Sequence, residues 1–289
     1  MGYHQPAGTV AVDAPVRRLT AADLPDCLAL AVGRDWTAEE RKWGFLLEVG
    51  EGYGIDDPAG GLAGSTILTR FADDAAAISM VLVAERHGGR GLGRRLVSHA
   101  VERAAGATTF LYATEYGRPL YEKLAFRSVS TVRTQVGRFA PDGTEPAAAV
   151  RDATEDDFAA IVQMDAEVFG ADRSRLLTSF TGFAERLVVA VRIGRIVGYA
   201  GMWRNVNYVS LGPVIAEDSA VAQSLISSLA ADVAGNVRID LDVSRPELIT
   251  WVAERGLAHV YTTSLMIHGE WGFAGDRDRL VVPVMQALG

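Results

Sequence analysis

The 289-residue sequence contains one cysteine, two lysines and five histidines, and each scarcity excludes something. With Cys27 alone, no intramolecular disulfide can form and a four-cysteine zinc site is impossible; a reducing compartment suits such a chain. The histidines show no metal-ligand spacing, so no metal is expected. No apolar run approaches the length of a membrane span, and no basic-then-apolar leader opens the sequence. A cytoplasmic protein with no membrane partner is therefore expected. A basic face is missing too. The formal charge is −8, and positive charge is carried by arginine except at Lys42 and Lys123, which argues against a nucleic-acid partner. What is present is core material: 49% hydrophobic and 8% aromatic residues, in a length about right for two domains.

The length resolves into a repeat. "PVRRLTAADLPDCLAL" (Pro15–Leu30) and "AVRDATEDDFAAIVQM" (Ala149–Met164) share Val-Arg, then Thr, then an acid three residues on, then an apolar-periodic run. Thr20 with Asp23, and Thr154 with Asp157, read as helix starts with reciprocal caps. Each half then gives strand, turn, strand, turn, strand, with third strands ending Val83-Ala84-Glu85 and Ile215-Ala216-Glu217. A helix, a strand, a short helix and closing strands follow in both. The expected organisation is a loose tail over 1–14, one domain over 15–136, a Pro/Gly/Ala-rich linker over 137–149 and a second domain over 150–289.

Between the third strand and the next helix the first half carries "ERHGGRGLGRRL", Glu85–Leu96. From here Leu92, Leu96, Ala100 and Ala104 form one helical stripe. Arginines at a helix N-terminus add positive charge to an end that is already positive, so Arg90, Arg94 and Arg95 call for an anion. Glycines let the backbone approach a ligand closely with its N–H groups converging. A phosphate or pyrophosphate satisfies both. A P-loop would need Lys-Ser/Thr where Arg94-Arg95 stand, and no register completes the dinucleotide fingerprint G-x-G-x-x-G.

A third pattern, Gln/Arg-x-x-Gly-x-Gly/Ala after a strand, is the acyl-CoA loop of the GNAT superfamily of N-acetyltransferases. Gly91-Leu92-Gly93 fits it with Gly88 in the first position; Arg86, Gly89 and Gly91 fit it two residues earlier. The order of elements around the loop, and Tyr121 followed by Ala125-Phe126 in "GRPLYEKLAF", also match, so the first half resembles this superfamily over its length. "LEVGEGYG", "GRPLYEKLAF" and "FGADRSRLL" resemble a bacterial tandem-GNAT subgroup, the YitH-like proteins. The resemblance implies an α/β fold with a mixed sheet in two tandem domains, and an acyltransferase using acetyl-CoA as co-substrate, without metal. It implies CoA contacts from Val81, Leu82 and Val83 and from the loop Gly88, Gly89, Arg90, Gly91, Leu92, Gly93 and Arg94. Tyr121 then protonates the leaving thiolate. Glu115, Glu48 and Glu51 are candidate bases, Glu115 foremost. Trp36 and Trp43 are candidate acceptor-pocket residues.

The second half departs from this pattern. Its loop reads "AEDSAV", three residues shorter, with Glu217-Asp218 where a pyrophosphate would lie and an ordinary N-cap at Asp218 or Ser219. Val252 falls at the Tyr121 position. A degenerate second domain that walls the acceptor pocket is therefore expected, with CoA in the first domain only and a small-molecule amine as acceptor. Acetylation of a protein lysine or N-terminus, and a CoA-binding sensor or scaffold without turnover, are the alternatives. The acceptor's identity, the acyl length and the oligomeric state are not legible.

Overall fold

The computed structural model describes residues 14–141, 143, 145–269 and 274–289. All but one of the residues of the expected N-terminal tail lie outside this set. The first half runs β1 (Arg17–Arg18), α1 (Leu24–Val32), α2 (Glu40–Val49), β2 (Glu51–Asp56), β3 (Leu62–Phe71), β4 (Ala75–Val83), α3 (Leu92–Arg103), β5 (Thr108–Ala113), α4 (Arg118–Glu122) and β6 (Arg127–Gly137). The second half repeats that order as β7 (Ala149–Asp152), α5 (Phe158–Phe169), α6 (Ser174–Phe183), β8 (Arg186–Arg192), β9 (Arg195–Arg204), β10 (Val209–Ala216), α7 (Ser219–Ala230), β11 (Val237–Asp242), α8 (Pro246–Glu254) and β12 (Leu257–His268). A last strand, β13 (Leu280–Val282), has no counterpart among the described residues of the first half.

The repeat is real down to its capping chemistry. In each half a threonine and the acid three residues on close a reciprocal box, with the acid accepting the threonine N–H at 2.8 Å. An arginine three residues before the threonine grips the same acid: Arg17 to Asp23 at 2.7 Å and Arg151 to Asp157 at 2.6 Å. Each box fixes where its helix starts.

All the strands join one sheet in the order β1-β2-β3-β4-β5-β12-β6-β11-β10-β9-β8-β7, with β13 against β10. The two halves share this sheet because the closing strands change sides. β12 inserts beside β5 of the first half (Ser264 opposite Ala113, His268 opposite Thr109), and β6 pairs with β11 of the second (Val237 opposite Gly137, Asp242 opposite Val132). β6 and β12 also pair with each other. Where they cross, a Cβ on Gly137 would lie 2.0 Å from the carbonyl oxygen of Gly256, which itself has φ +93°. Only glycine allows that approach.

The core crosses the same boundary. The ring of Phe169 meets Phe71 at 5.2 Å and Phe110 at 6.0 Å, and Phe45 stacks on Phe183 at 4.2 Å. Arg173, 1% exposed, is paired with Asp165 at 2.6 Å and lies 3.9 Å over the Phe169 ring. Truncating one such buried phenylalanine costs about 3–5 kcal/mol, so separating the halves would cost several times that.

Candidate active site

β4 and β5 run parallel, and they pair only from Ala75 opposite Thr108 to Ala77 opposite Phe110. Beyond that point they part. β4 continues as a partner of β3 up to Val83 opposite Gly64, and β5 continues as a partner of β12. A break in the β3–β4 register, with Met80 at φ +51°, bends β4 away. A bulge re-aims a strand in this way. The edge of β4 from Ile78 to Val83 thus faces a gap with no strand beside it among the described residues, while the Ser79 and Met80 carbonyls accept from the Thr66 and Ser65 hydroxyls of β3.

The glycine-rich stretch follows Val83 directly. Glu85–His87 makes one short helical turn, Gly89 (φ +74°) and Gly91 (φ +79°) take left-handed conformations, and Gly91 starts α3 with no side chain capping it. A Cβ at either glycine would point into open space. The first N–H groups of α3 are left for a ligand. Arg90 and Arg94 are exposed beside them, whereas Arg95 turns back to donate to the carbonyl of Ala14. The loop thus has the geometry of an anion cradle.

Sequence reasoning missed what holds this loop. Asp57, in the turn between β2 and β3, is buried and gathers three donors: the Ala59 N–H at 2.8 Å, Arg86 Nε at 2.9 Å and His87 Nε2 at 2.5 Å. His87 is 3% exposed, and its Nδ1 has no partner among the described residues. Burial opposes charge on Asp57, but its hydrogen bonds with Ala59, His87 and Arg86 outweigh this and hold the carboxyl below its ordinary range. The only sequence hint is the Asp56-Asp57 pair before a Pro-Ala-Gly-Gly turn, with Asp57 lying 30 residues from its partner His87.

Tyr121 projects from α4 into a buried cluster with Ile78, Leu111 and Ala113, the residues at the parting of β4 and β5. Its ring meets Phe126 edge-on at 5.9 Å. Burial alone pushes its hydroxyl up to about 12, so it stays protonated at any ordinary pH.

Across the gap from the glycine loop lies a cavity of about 570 Å³ between the two halves. The first half contributes Trp36, Glu39, Lys42, the bend Ile78–Met80 and Tyr112; the second contributes Tyr208, Arg238, Asp240, Tyr261 and the segment Pro283–Ala287. Glu39 is the interdomain junction. It accepts from Lys42 at 2.6 Å, from Tyr208 at 3.3 Å and from Asn205 Nδ2. Burial opposes its charge, but Lys42 first, then Asn205 and Arg238, hold its carboxyl below the ordinary value. Arg238 pairs with Asp240 at 3.0 Å and donates to Tyr208 at 2.8 Å.

Of the two candidate tryptophans, Trp36 lines this cavity at 40% exposure, while Trp43 is wholly buried in the core. Glu115 is exposed just past β5 and does not reach the cavity, whereas Tyr112 and Thr114 do. Glu48 and Glu51 border a separate surface depression, where Glu51 pairs with Arg18 and Arg70, both at 3.0 Å.

The corresponding place in the second half is filled. Asp218 caps α7 by accepting the Val221 N–H at 2.8 Å, and Arg192 and Arg195 neutralise Asp218 and Glu217 at 3.2 and 3.0 Å. β10 and β11 pair in parallel only at Val209–Ser210 and then part as β4 and β5 do, but β13 lies in the gap, with Val282 opposite Val214 and Leu280 opposite Ile215. Val252, at the tyrosine position, is buried. The C-terminal segment also crosses to the first half, where Gln286 donates to Thr134 at 3.1 Å. Among the described residues no group of three His, Cys, Asp or Glu could hold a metal, and no helix is long and apolar enough to cross a membrane.

A parting parallel pair followed by a helix start, occurring twice in one sheet and glycine-rich in the first half, defines a tandem acyl-CoA-dependent acyltransferase architecture. Comparison with known proteins agrees: the acetyltransferase (GNAT) family matches residues 17–126 and an acetyltransferase (GNAT) domain matches residues 161–281. The chain is 30% identical over 225 residues to the uncharacterized N-acetyltransferase YitH of Bacillus subtilis, covering 77% of this chain and 79% of that protein. It is 26% identical over 237 residues to holothin acyltransferase of a Pseudoalteromonas species, covering 78% and 75%. A putative acetyltransferase from Pyrococcus horikoshii shares the fold with a TM-score of 0.81 at 17% identity, over 99% of this chain and 100% of that one. A tandem GNAT protein from the clavulanic acid biosynthesis pathway shares it at 0.63 and 16%, over 89% and 99%. The chain belongs to the GNAT acetyltransferase family, with two GNAT domains in tandem, and is an acyltransferase.

Proposed function

We propose that the protein transfers an acetyl group from one acetyl-CoA, bound by the first domain, to the amine of a small molecule held between the domains. The observation that carries this reading is the contrast between two equivalent gaps in one sheet. The β4–β5 gap is open beside an uncapped, glycine-rich helix start, and the β10–β11 gap is occupied by β13 beside a capped one. CoA in the second gap would have to displace Leu280, Val281 and Val282, all buried, at about 1.5–3 kcal/mol each, and to set its phosphates beside Glu217 and Asp218. A bare helix dipole returns about 0.3–1 kcal/mol.

In this reading the pyrophosphate rests on the N–H groups of Gly89–Gly93 beside Arg90 and Arg94. The pantetheine arm runs along Val81–Val83, which leads the thioester to the bend at Met80 and the mouth of the interdomain cavity. The acceptor nitrogen attacks the thioester carbonyl, and N–H groups of β4 stabilise the oxyanion. As the C–S bond breaks, Tyr121 gives its proton to the thiolate. Glu39, ionised and on the cavity wall, takes the proton released by the nitrogen, in place of Glu115. A cavity of about 570 Å³ set between the domains suits a small acceptor better than a protein chain. One relative, too, is named for acyl transfer to holothin rather than to a protein. A panel of small amines and lysine peptides, incubated with acetyl-CoA while thiol release is followed, tests this. Turnover confined to small amines is expected; turnover only with peptides would reject the reading.

A further inference from the structure

The cavity wall carries only four charged residues among those described, two of each sign, and all are committed to one another. Lys42 is bound by Glu39. Arg238 spends Nε and Nη2 on Asp240 and Nη1 on Tyr208. Asp240 also accepts from Thr134 at 2.5 Å, and Glu39 from Asn205 and Tyr208. An acceptor bringing a carboxylate or phosphate would find no cation free of a partner. One bringing a second ammonium would find no carboxylate without donors. Breaking either pair to receive it would leave a buried charge uncompensated.

The rest of the wall mixes hydroxyl side chains, such as Thr37, Ser79 and Thr114, with aromatic rings. Trp36 comes from the first half and Tyr208 and Tyr261 from the second, with the Arg238 guanidinium 5.4 Å from one tyrosine ring and 5.5 Å from the other. Trp36, Val260 and Tyr261 remain 40%, 57% and 39% exposed and form an apolar rim to the cavity. No histidine lines the cavity among the described residues. Its one carboxylate outside the Arg238 pair, Glu39, already has three donors and is a weak base. An alkylammonium with a pKa of about 10.4, like that of lysine, is neutral in only roughly 1 molecule in 2,500 at pH 7 and needs a strong base to become a nucleophile.

Building on the acetyltransferase reading above, we infer that the acceptor is an amine attached directly to a flat, otherwise uncharged ring system, which arrives neutral and lies against Trp36 and Tyr261. Its nitrogen lone pair forms the C–N bond, the C–S bonding pair leaves on sulfur and is protonated by Tyr121, and the nitrogen loses one proton to Glu39 or water. The new N-acyl arylammonium is acidic enough that a weak base suffices.

The test uses the full chain with acetyl-CoA and three acceptors of similar size: 4-methylaniline, benzylamine and 4-aminobenzoate. The inference expects kcat/KM at pH 7 for 4-methylaniline to exceed that for benzylamine by at least 100-fold and that for 4-aminobenzoate by at least 10-fold. Tyr261→Leu should raise KM for 4-methylaniline about 10-fold without changing KM for acetyl-CoA. The wild-type ratios decide even if that variant does not fold. Benzylamine or 4-aminobenzoate turned over as well as 4-methylaniline would overturn the acceptor class while leaving the acetyltransferase reading intact. Failure of a wide amine panel, all three included, to release CoA thiol would overturn both.

Discussion

Asp57→Asn isolates the device that holds the glycine loop. The substitution keeps the shape and the acceptor for the Ala59 N–H, and removes the charge that faces Arg86 and His87. Arg86 is 53% exposed at its side chain, so its pair contributes only about 0.2–1 kcal/mol. The bond to buried His87 is charge-assisted, and such bonds contribute about 1.5–3 kcal/mol. A loss of roughly 2–3 kcal/mol is expected, concentrated where the β2–β3 turn meets the loop. Because the loop must be ordered to receive phosphates, acetyl-CoA affinity should fall at least 10-fold, the equivalent of about 1.4 kcal/mol. Titration calorimetry beside a urea melt reads both quantities. The pH dependence has a definite sign. Asp57 is held below its unfolded value near 3.9, so its stabilisation is complete above that value and is lost as pH falls through the lower, folded one. Wild type should therefore lose its advantage over the Asp57→Asn variant only in acid below about pH 4. Equal midpoints and equal acetyl-CoA affinity at neutral pH would refute the latch.

Three further outcomes follow from the same geometry. Tyr121→Phe should lower kcat about 10²–10⁴-fold with little change in KM for acetyl-CoA; since burial holds the hydroxyl near 12, the wild-type pH profile should show no basic limb from this group below about pH 11. Gly91→Ala puts a side chain at φ +79° where nothing obstructs the Cβ, so the strain, about 1–2 kcal/mol, should lower stability by that amount in a urea melt and weaken CoA binding in calorimetry, with core packing unchanged. Glu39→Gln should reduce kcat/KM for the acceptor 10-fold or more without affecting acetyl-CoA binding, and a wild-type rate in that variant would exclude Glu39 from the proton path.

Local chemistry is legible in the sequence and long-range pairing is not. The two Thr–Asp boxes, the glycine loop and its degenerate counterpart each lie within a few residues, where cap and backbone preferences act directly. The exchange of β6 and β12 has no local signature: both strands satisfy their hydrogen bonds with either neighbour, and the choice rests on tertiary packing. The same holds for β13 in the β10–β11 gap, an apolar strand like any other until its partner is known. Trp36 and Trp43 are seven residues apart and would share a face of one helix, but α2 begins only at Glu40, so the two diverge. Glu39 has one local partner, Lys42 three residues on, but its other neighbours Asn205, Tyr208 and Arg238 come from the other half and have no local signature.

The central claim is that one of the two gaps takes acetyl-CoA and the other is sealed by the chain itself. Calorimetric titration of the full chain with acetyl-CoA measures this directly. A stoichiometry of one per chain, abolished together with turnover when Gly89 and Gly91 are both replaced by valine, is the predicted result. A stoichiometry of two, or one site that survives that replacement unchanged, would contradict it.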